Sequence, residues 1–273
     1  MSADVSEQAA VVAVANQKGG VAKTTTTLSI AGALSARGLA VLVIDCDPQA
    51  CATFSLGYDP DALAPTLNEV VAGRAAIADT IVAHPETDLV PASIDLAGAE
   101  TALLTRTGRE HVLRGALEPV RDAYDAILLD GPPSLGVLTL NALTTADRVL
   151  IPLQCETLSH RGVAQLLDTI ADVQHLTNPD LTVAGLTATM YDGRTRHARA
   201  VLADVTERYD LPLAGPPVRK SVRFAEAPNR GVTIHAHDPS VPGAAAYRVL
   251  AARLLDLPVD PDDEARAEGR PPR

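Results

Sequence analysis

Two wholly apolar runs, separated by a glycine loop and one helix's length of sequence, leave this chain few folds to choose from. Val11 to Ala15 is the first run; Asn16-Gln17-Lys18-Gly19-Gly20 follows, then a helical pattern from Lys23 to about Arg37 that Gly38 ends. Ala40 to Ile44 is the second run, closing on Asp45-Cys46-Asp47-Pro48. A strand wetted on one face alternates apolar and polar residues; these two do not, so both of their faces are covered. The expected fold class is α/β, a mostly parallel twisted sheet with helices on both faces.

The alternation continues along the chain. Asp88 to Ala92, Ala126 to Asp130, Arg148 to Leu153 and Leu181 to Met190 read as strands; Gly108 to Ala123, Leu158 to Leu176 and Thr195 to Tyr209 read as helices. Val241 to Leu255 puts Ala244, Tyr247, Leu250, Ala251 and Leu254 on one stripe, the pattern of a core helix. The order of elements between Gly57 and His84 is open. No internal repeat or linker divides the chain, so residues 1–257 are expected to form one domain. Residues 258–273, PVDPDDEARAEGRPPR, have five acids, three arginines and no apolar period, and are expected to be a disordered tail.

Charge and cysteine usage narrow the function classes. Thirty-four acidic against 23 basic residues give the 273 residues a formal charge of −11, with 47% apolar, a globular balance. No stretch approaches the roughly 18 apolar residues of a membrane span, and the start MSADVSEQAA lacks the basic lead of a signal peptide, which points to a cytoplasmic chain. Cys46, Cys51 and Cys155 are odd in number and lack C-x-x-C spacing, which speaks against disulfides, zinc and iron–sulfur clusters. A chain this acidic binds nucleic acid only through a local basic surface. Its lysines are Lys18, Lys23 and Lys220, so two of three sit five positions apart in one loop.

A nucleoside triphosphate needs backbone N–H groups around its phosphates, a helix N-terminus behind them and a lysine to neutralise charge. The pattern G-x-x-x-x-G-K-[ST] fails here, because Gln17 and Ala22 stand where its glycines belong. What remains is Lys18-Gly19-Gly20-Val21-Ala22-Lys23-Thr24, between an apolar strand and a helix. A dinucleotide site on the same sheet would show G-x-G-x-x-G and would not spend two lysines. The loop resembles the deviant Walker A motif, K-G-G-x-x-K-[ST], of the ParA/MinD superfamily of dimeric P-loop ATPases, though many members carry glycine where Ala22 stands.

The resemblance implies ATP and Mg²⁺ as ligands, a P-loop NTPase fold, and ATP hydrolysis. It implies that Gly19, Gly20, Val21, Ala22, Lys23, Thr24 and Thr25 surround the phosphates, that Lys23 contacts the β- and γ-phosphates, and that Thr24 holds Mg²⁺. Lys18 would reach across a homodimer to the partner's ATP. Asp47, in Asp-Cys-Asp-Pro-Gln, would activate the attacking water and stand near the metal; Asp45 matches a position nearer Mg²⁺. The alternative for either aspartate is a strand-end residue capping the next turn. Ile127-Leu128-Leu129-Asp130 followed by Gly131-Pro132-Pro133-Ser134 resembles a Walker B strand and switch loop, with Asp130 near Mg²⁺.

Ala15-Asn16-Gln17, Leu138 to Leu143, Met190 to Thr195 and Val222 to Pro228 look like ParA/Soj chromosome and plasmid partition ATPases. With about ten residues before the first strand, an operator-binding helix-turn-helix extension is not expected. MinD attaches to membranes through a basic amphipathic C-terminal helix, whereas this tail is acidic and proline-rich, so no membrane partner is expected. Residues 194–223 hold seven basic and three acidic residues, and Arg196, Arg199, Lys220 and Arg223 are the candidates for contacting double-stranded DNA without sequence preference; a solvated arginine face is the alternative. Arg219 and Ser221 replace the family's usual proline and asparagine, which leaves adenine contacts from that loop open. The resemblance further implies a ParB-type partner that stimulates hydrolysis and a nucleoid-associated location. Positioning of another cargo, such as a protein machine or microcompartment, and a monomeric metabolic ligase are the alternative functions.

Overall fold

The computed structural model describes residues 8–156 and 159–270. Six strands, β1 (Ala10–Val14), β2 (Val41–Asp45), β3 (Asp88–Val90), β4 (Ala126–Asp130), β5 (Arg148–Gln154) and β6 (Thr182–Thr189), form one sheet in the order β3-β2-β4-β1-β5-β6. Every neighbouring pair is parallel. The helices are α1 (Lys23–Ser35), α2 (Cys51–Ser55), α3 (Leu67–Val71), α4 (Leu96–Leu103), α5 (Val112–Leu117), α6 (Val137–Thr145), α7 (Ser159–Leu176), α8 (Arg196–Tyr209), α9 (Arg223–Glu226), α10 (Ile234–His237), α11 (Pro242–Leu254) and α12 (Pro261–Glu268).

The apolar strands divide their side chains between two cores, as the twofold period of a strand requires. Val11, Ala13, Leu42, Ile44, Ile127 and Leu129 face the layer of α3 to α8. Val12, Val41, Val43, Ala126 and Leu128 face α1 and α11. All are buried, and each larger aliphatic side chain contributes about 1.5–3 kcal/mol on leaving water. The stripe expected on α11 is buried as read, and the hydroxyls of Tyr247 and Thr26 meet at 3.0 Å across the α1–α11 contact.

Two expectations are corrected. Gly108 to Ala123 is not one helix but a 3₁₀ turn at Arg109–His111, α5, and a second 3₁₀ stretch at Glu118–Ala123; Pro119 has no N–H to continue α5, and Gly115 weakens it. The tail is not structureless either. Asp260 caps α12 by accepting the Asp262 N–H at 2.8 Å, Pro261 begins the helix, three acids fill its first turn, and Gly269 closes it at φ +79°. Its small apolar face, Ala265 and Ala267, is buried. Arg248 on α11 holds Asp263 through two bonds of 2.6 and 2.9 Å. Between Gly57 and His84, α3 starts with a capping box: Thr66 and Glu69 satisfy each other's backbone N–H groups. The readings at residues 1–7, Leu158 and 271–273 lie outside the described residues. Among the described residues no helix is long and apolar enough to cross a membrane.

Candidate active site

In a parallel sheet all strands end on one edge, and the strand-to-helix turns there collect the polar groups. Residues 16–22, from β1 to α1, make the central turn. Asn16 anchors it: its amide donates to the Pro152 carbonyl at 2.7 Å, tying the turn to β5, and its side-chain oxygen accepts the Lys18 N–H at 3.0 Å. Gly20 has φ +74° and Ala22 has φ +66°, both left-handed. Glycine takes that conformation freely; alanine takes it at a cost of about 1 kcal/mol. The Thr189 hydroxyl, at the end of β6, donates to the Val21 carbonyl at 2.9 Å and fixes the far side of the turn.

Lys23 opens α1 and is buried, its Nζ 3.3 Å from the Lys18 carbonyl. Burial lowers its pKa, while Asp130 and Asp47 pull the other way. An ammonium held in a low-dielectric turn against a carbonyl rather than a bonded carboxylate is a ready anion partner. Lys18 points elsewhere: its Nζ lies 2.6 Å from Glu156, just past β5.

The register β2–β4 sets Asp45 opposite Asp130 at the ends of adjacent strands. Both are wholly buried. Burial pushes the carboxyl of Asp130 up, and the neighbouring Asp45 adds to it; burial likewise raises Asp45. Thr24 and Thr27 donate to the two oxygens of Asp130 at 2.7 and 3.0 Å, joining α1 to β4. Asp45 accepts the N–H and hydroxyl of Thr53 at 2.9 and 2.8 Å and the Asp47 N–H at 3.2 Å. It thus serves the start of α2, as in the capping alternative described. Asp47 is buried and makes a short turn, accepting the Gln49 N–H at 2.9 Å. Gly131 must be glycine, since a Cβ there would stand 2.9 Å from the Val14 carbonyl.

This donor set fits a phosphate-bound Mg²⁺. Among the described residues no three His, Cys, Asp or Glu side chains form a cage of their own, and Mg²⁺ is ordinarily held by one or two carboxylates, a hydroxyl and substrate phosphates. Thr24 and Asp130 are already in contact. Thr27, Thr189 and Glu156 were not singled out from sequence; a threonine one turn after Thr24 was the available signal for the first.

The basic candidates belong to other elements: Arg196 and Arg199 to α8, Arg223 to α9, and Lys220 to the loop before α9, where it lines a cleft with Met190 and Pro216. Arg196, Arg199, Lys220 and Arg223 are all exposed. Arg199 donates to the Gly193 carbonyl at 2.6 Å, and Arg223 pairs with Glu226 at 2.8 Å and Asp238 at 3.4 Å. Two of the four cations are therefore partly committed within the chain.

A phosphate-cradling turn at the carboxyl edge of a parallel sheet, with a buried lysine and a threonine–aspartate pair, defines a P-loop ATPase. Residues 9–183 match the AAA domain family. The chain is 40% identical to the sporulation initiation inhibitor protein Soj of Bacillus subtilis over 246 residues, covering 89% of this chain and 97% of that protein. It is 40% identical to the chromosome partitioning protein ParA of Caulobacter vibrioides over 261 residues, 94% of this chain and 97% of that one. A crystal structure of cobyrinic acid a,c-diamide synthase from Mycobacterium smegmatis, with bound ATP analog and magnesium, superposes with a TM-score of 0.82 at 50% identity, covering 90% of this chain and 94% of that chain. The chain belongs to the ParA/Soj family of partition ATPases.

Proposed function

We propose that this chain is a DNA-segregation ATPase in which Mg²⁺·ATP closes a homodimer, the dimer binds DNA without sequence preference, and a ParB-type partner stimulates hydrolysis and release. The observation that carries the reading is the division of labour between the two loop lysines. Lys23 is buried over the phosphate turn, whereas Lys18 is held outward at Glu156, the disposition of a residue whose anionic target lies in another subunit. Family membership and the location it implies, a cytoplasmic nucleoid-bound protein, support the same reading.

In this mechanism the amides of residues 19–25 and Lys23 bind the triphosphate, and Thr24 and Asp130, with Asp47 beside them, would hold the metal. Mg²⁺, when bound, draws charge from the β- and γ-phosphate oxygens. Asp47 orients the attacking water and accepts its proton; the water oxygen bonds to the γ-phosphorus as the bond to the β-phosphate oxygen breaks, releasing ADP and phosphate. The test is affinity for duplex DNA with ATP, ADP and no nucleotide. Tight binding with ATP alone supports the reading; equal binding in all three states refutes the switch.

The likeness to the M. smegmatis synthase favours a second reading, a ligase that uses ATP to activate a carboxylic acid for amide formation. Such an enzyme consumes ATP only with its acid substrate and works as a monomer, so Lys18 would have no target. ATP turnover stimulated by DNA and partner, with no acid present, separates the two.

A further inference from the structure

Beyond the phosphate turn the structure has a cleft of about 940 Å³. Its lining begins at Met190, one residue past Thr189, whose hydroxyl holds Val21 of the phosphate turn, so the cleft adjoins that turn. The strand-like run through Val218 forms one side: Val218 N–H donates to Ala188 O at 2.7 Å and Tyr191 N–H to Val218 O at 2.9 Å. Met190, Tyr191, Pro216 and Pro217 give it apolar surfaces, Asp192, Arg194 and Lys220 bring charged groups to its rim, and Ala267 and Glu268 of α12 form another side. A purine nucleoside matches that chemistry: a planar face to stack and polar edges to bond.

The α12 side is held at both ends. At its start, Asp263 is bonded to Arg248, both largely buried. At its finish, the Arg219 guanidinium donates to the Glu268 carbonyl at 3.1 Å, and a Cβ at Gly269 would stand 3.0 Å from Arg219 Nη1. A cation over the last carbonyls of a helix satisfies groups the helix leaves unpaired. Arg219 also lines the cleft, so the residue that pins α12 is part of the same site.

We infer that α12 is a wall of the nucleoside end of the ATP site and that Arg219 is the positioning residue that keeps it there. The C-terminal segment then sets how tightly the base is gripped, while the phosphate turn grips the triphosphate independently. This rests on the ATPase reading above. The experiment compares Mg²⁺·ATP with Mg²⁺·tripolyphosphate, which carries the phosphates without the nucleoside, on the full chain and on Arg219→Ala, Arg219→Lys and Asp263→Asn by calorimetry.

The expected result is ATP binding weakened about tenfold in Arg219→Ala and Asp263→Asn, with tripolyphosphate affinity unchanged, and Arg219→Lys recovering part of the loss. Unchanged ATP affinity in both variants overturns the inference. So does an equal loss for ATP and tripolyphosphate, which would report general damage to the site. A wild-type chain that binds the two ligands equally has no nucleoside grip and overturns this inference alone; one that binds neither overturns the ATPase reading as well.

Discussion

Lys18 Nζ and the Glu156 carboxylate are 2.6 Å apart, so within one subunit the first lysine of the loop is neutralised by the residue that follows β5. Both side chains are partly exposed, 31% and 53%, and such pairs are worth about 0–1 kcal/mol. The lysine is held but easily released. Lys18→Ala should therefore lower the ATP-dependent dimer fraction more than it lowers ATP affinity of the monomer. Glu156→Gln, which frees the ammonium, should raise the dimer fraction at a given concentration. Light scattering with a slowly hydrolysed analogue reads both, and an unmoved dimer fraction in Lys18→Ala would return that residue to the role of a solvated loop cation.

Ala22 sits at φ +66° immediately before α1. Glycine removes the Cβ clash but adds freedom to the unfolded chain, so Ala22→Gly should give a net gain of about 0.5 kcal/mol. In a chain this size that is a rise of about 1–2 °C in melting temperature. A fall in melting temperature would mean that the Ala22 side chain contributes packing that outweighs its backbone strain.

Lys23 and Asp47 should fail differently. Lys23→Ala removes the buried cation and should abolish measurable nucleotide binding. Asp47→Ala should leave ATP affinity within a few-fold and slow turnover by about two to four orders of magnitude, the usual range for losing a general base. Equilibrium binding beside single-turnover hydrolysis separates them; matched losses of affinity would cancel the assignment of Asp47 to the water.

The sheet and the phosphate turn were legible because their physics is local: an unbroken apolar run marks a strand covered on both faces, and a glycine loop leading into Lys23-Thr24 needs no partner to be read. Asp45 was not settled by sequence, because whether a strand-end carboxylate faces a metal or caps the next helix depends on where Thr53 falls in space. The tail was misread for a similar reason. An apolar stripe of two alanines is invisible to periodicity, yet Asp260, Pro261 and Gly269 had spelled the start and stop of α12. Glu156 and Thr189 lie at the ends of β5 and β6, and only the strand order brings them to the loop.

His235 gives the fold a definable pH response. Its Nε2 lies 2.9 Å from the Ser29 carbonyl on α1, its Nδ1 3.5 Å from Arg248 on α11, with Asp263 of α12 behind that arginine. Burial and then Arg248 pull its pKa from about 6.5 down to about 4, against weaker pulls from the Ser29 bond and Asp263. The unfolded chain therefore binds a proton at this site between those values when the folded chain does not, and stability falls as pH drops from 6.5 toward 4. The raised carboxyls of Asp45 and Asp130 slope the opposite way, so the comparison must be with a variant. The melting temperature of the wild type should fall more steeply than that of His235→Asn between pH 7.5 and 5; parallel curves would remove His235 from the account.

The DNA surface should divide along the ion pairs that the fold makes. Arg223 is tied to Glu226 and Asp238, and those contacts hold its charge firmly protonated but already balanced. Among the described residues Arg196 and Lys220 make no such pair, so their charge is available to phosphate at no cost in broken contacts. Each phosphate contact contributes about 0.9 to the slope of log affinity against log salt, and a dimer presents each residue twice. Arg196→Ala and Lys220→Ala should each flatten the slope by up to about 2 per dimer and weaken binding to unrelated duplexes equally. Arg223→Ala should change the slope less. ATP turnover without DNA should hold in Arg196→Ala, whose side chain lies on α8 away from the phosphate turn. The measurement is ATP-dependent affinity for two unrelated duplexes across a salt series. A larger change for Arg223→Ala than for the unpaired cations would mean that DNA displaces Glu226 and Asp238, and that the pairs seen here are the resting form of the contact.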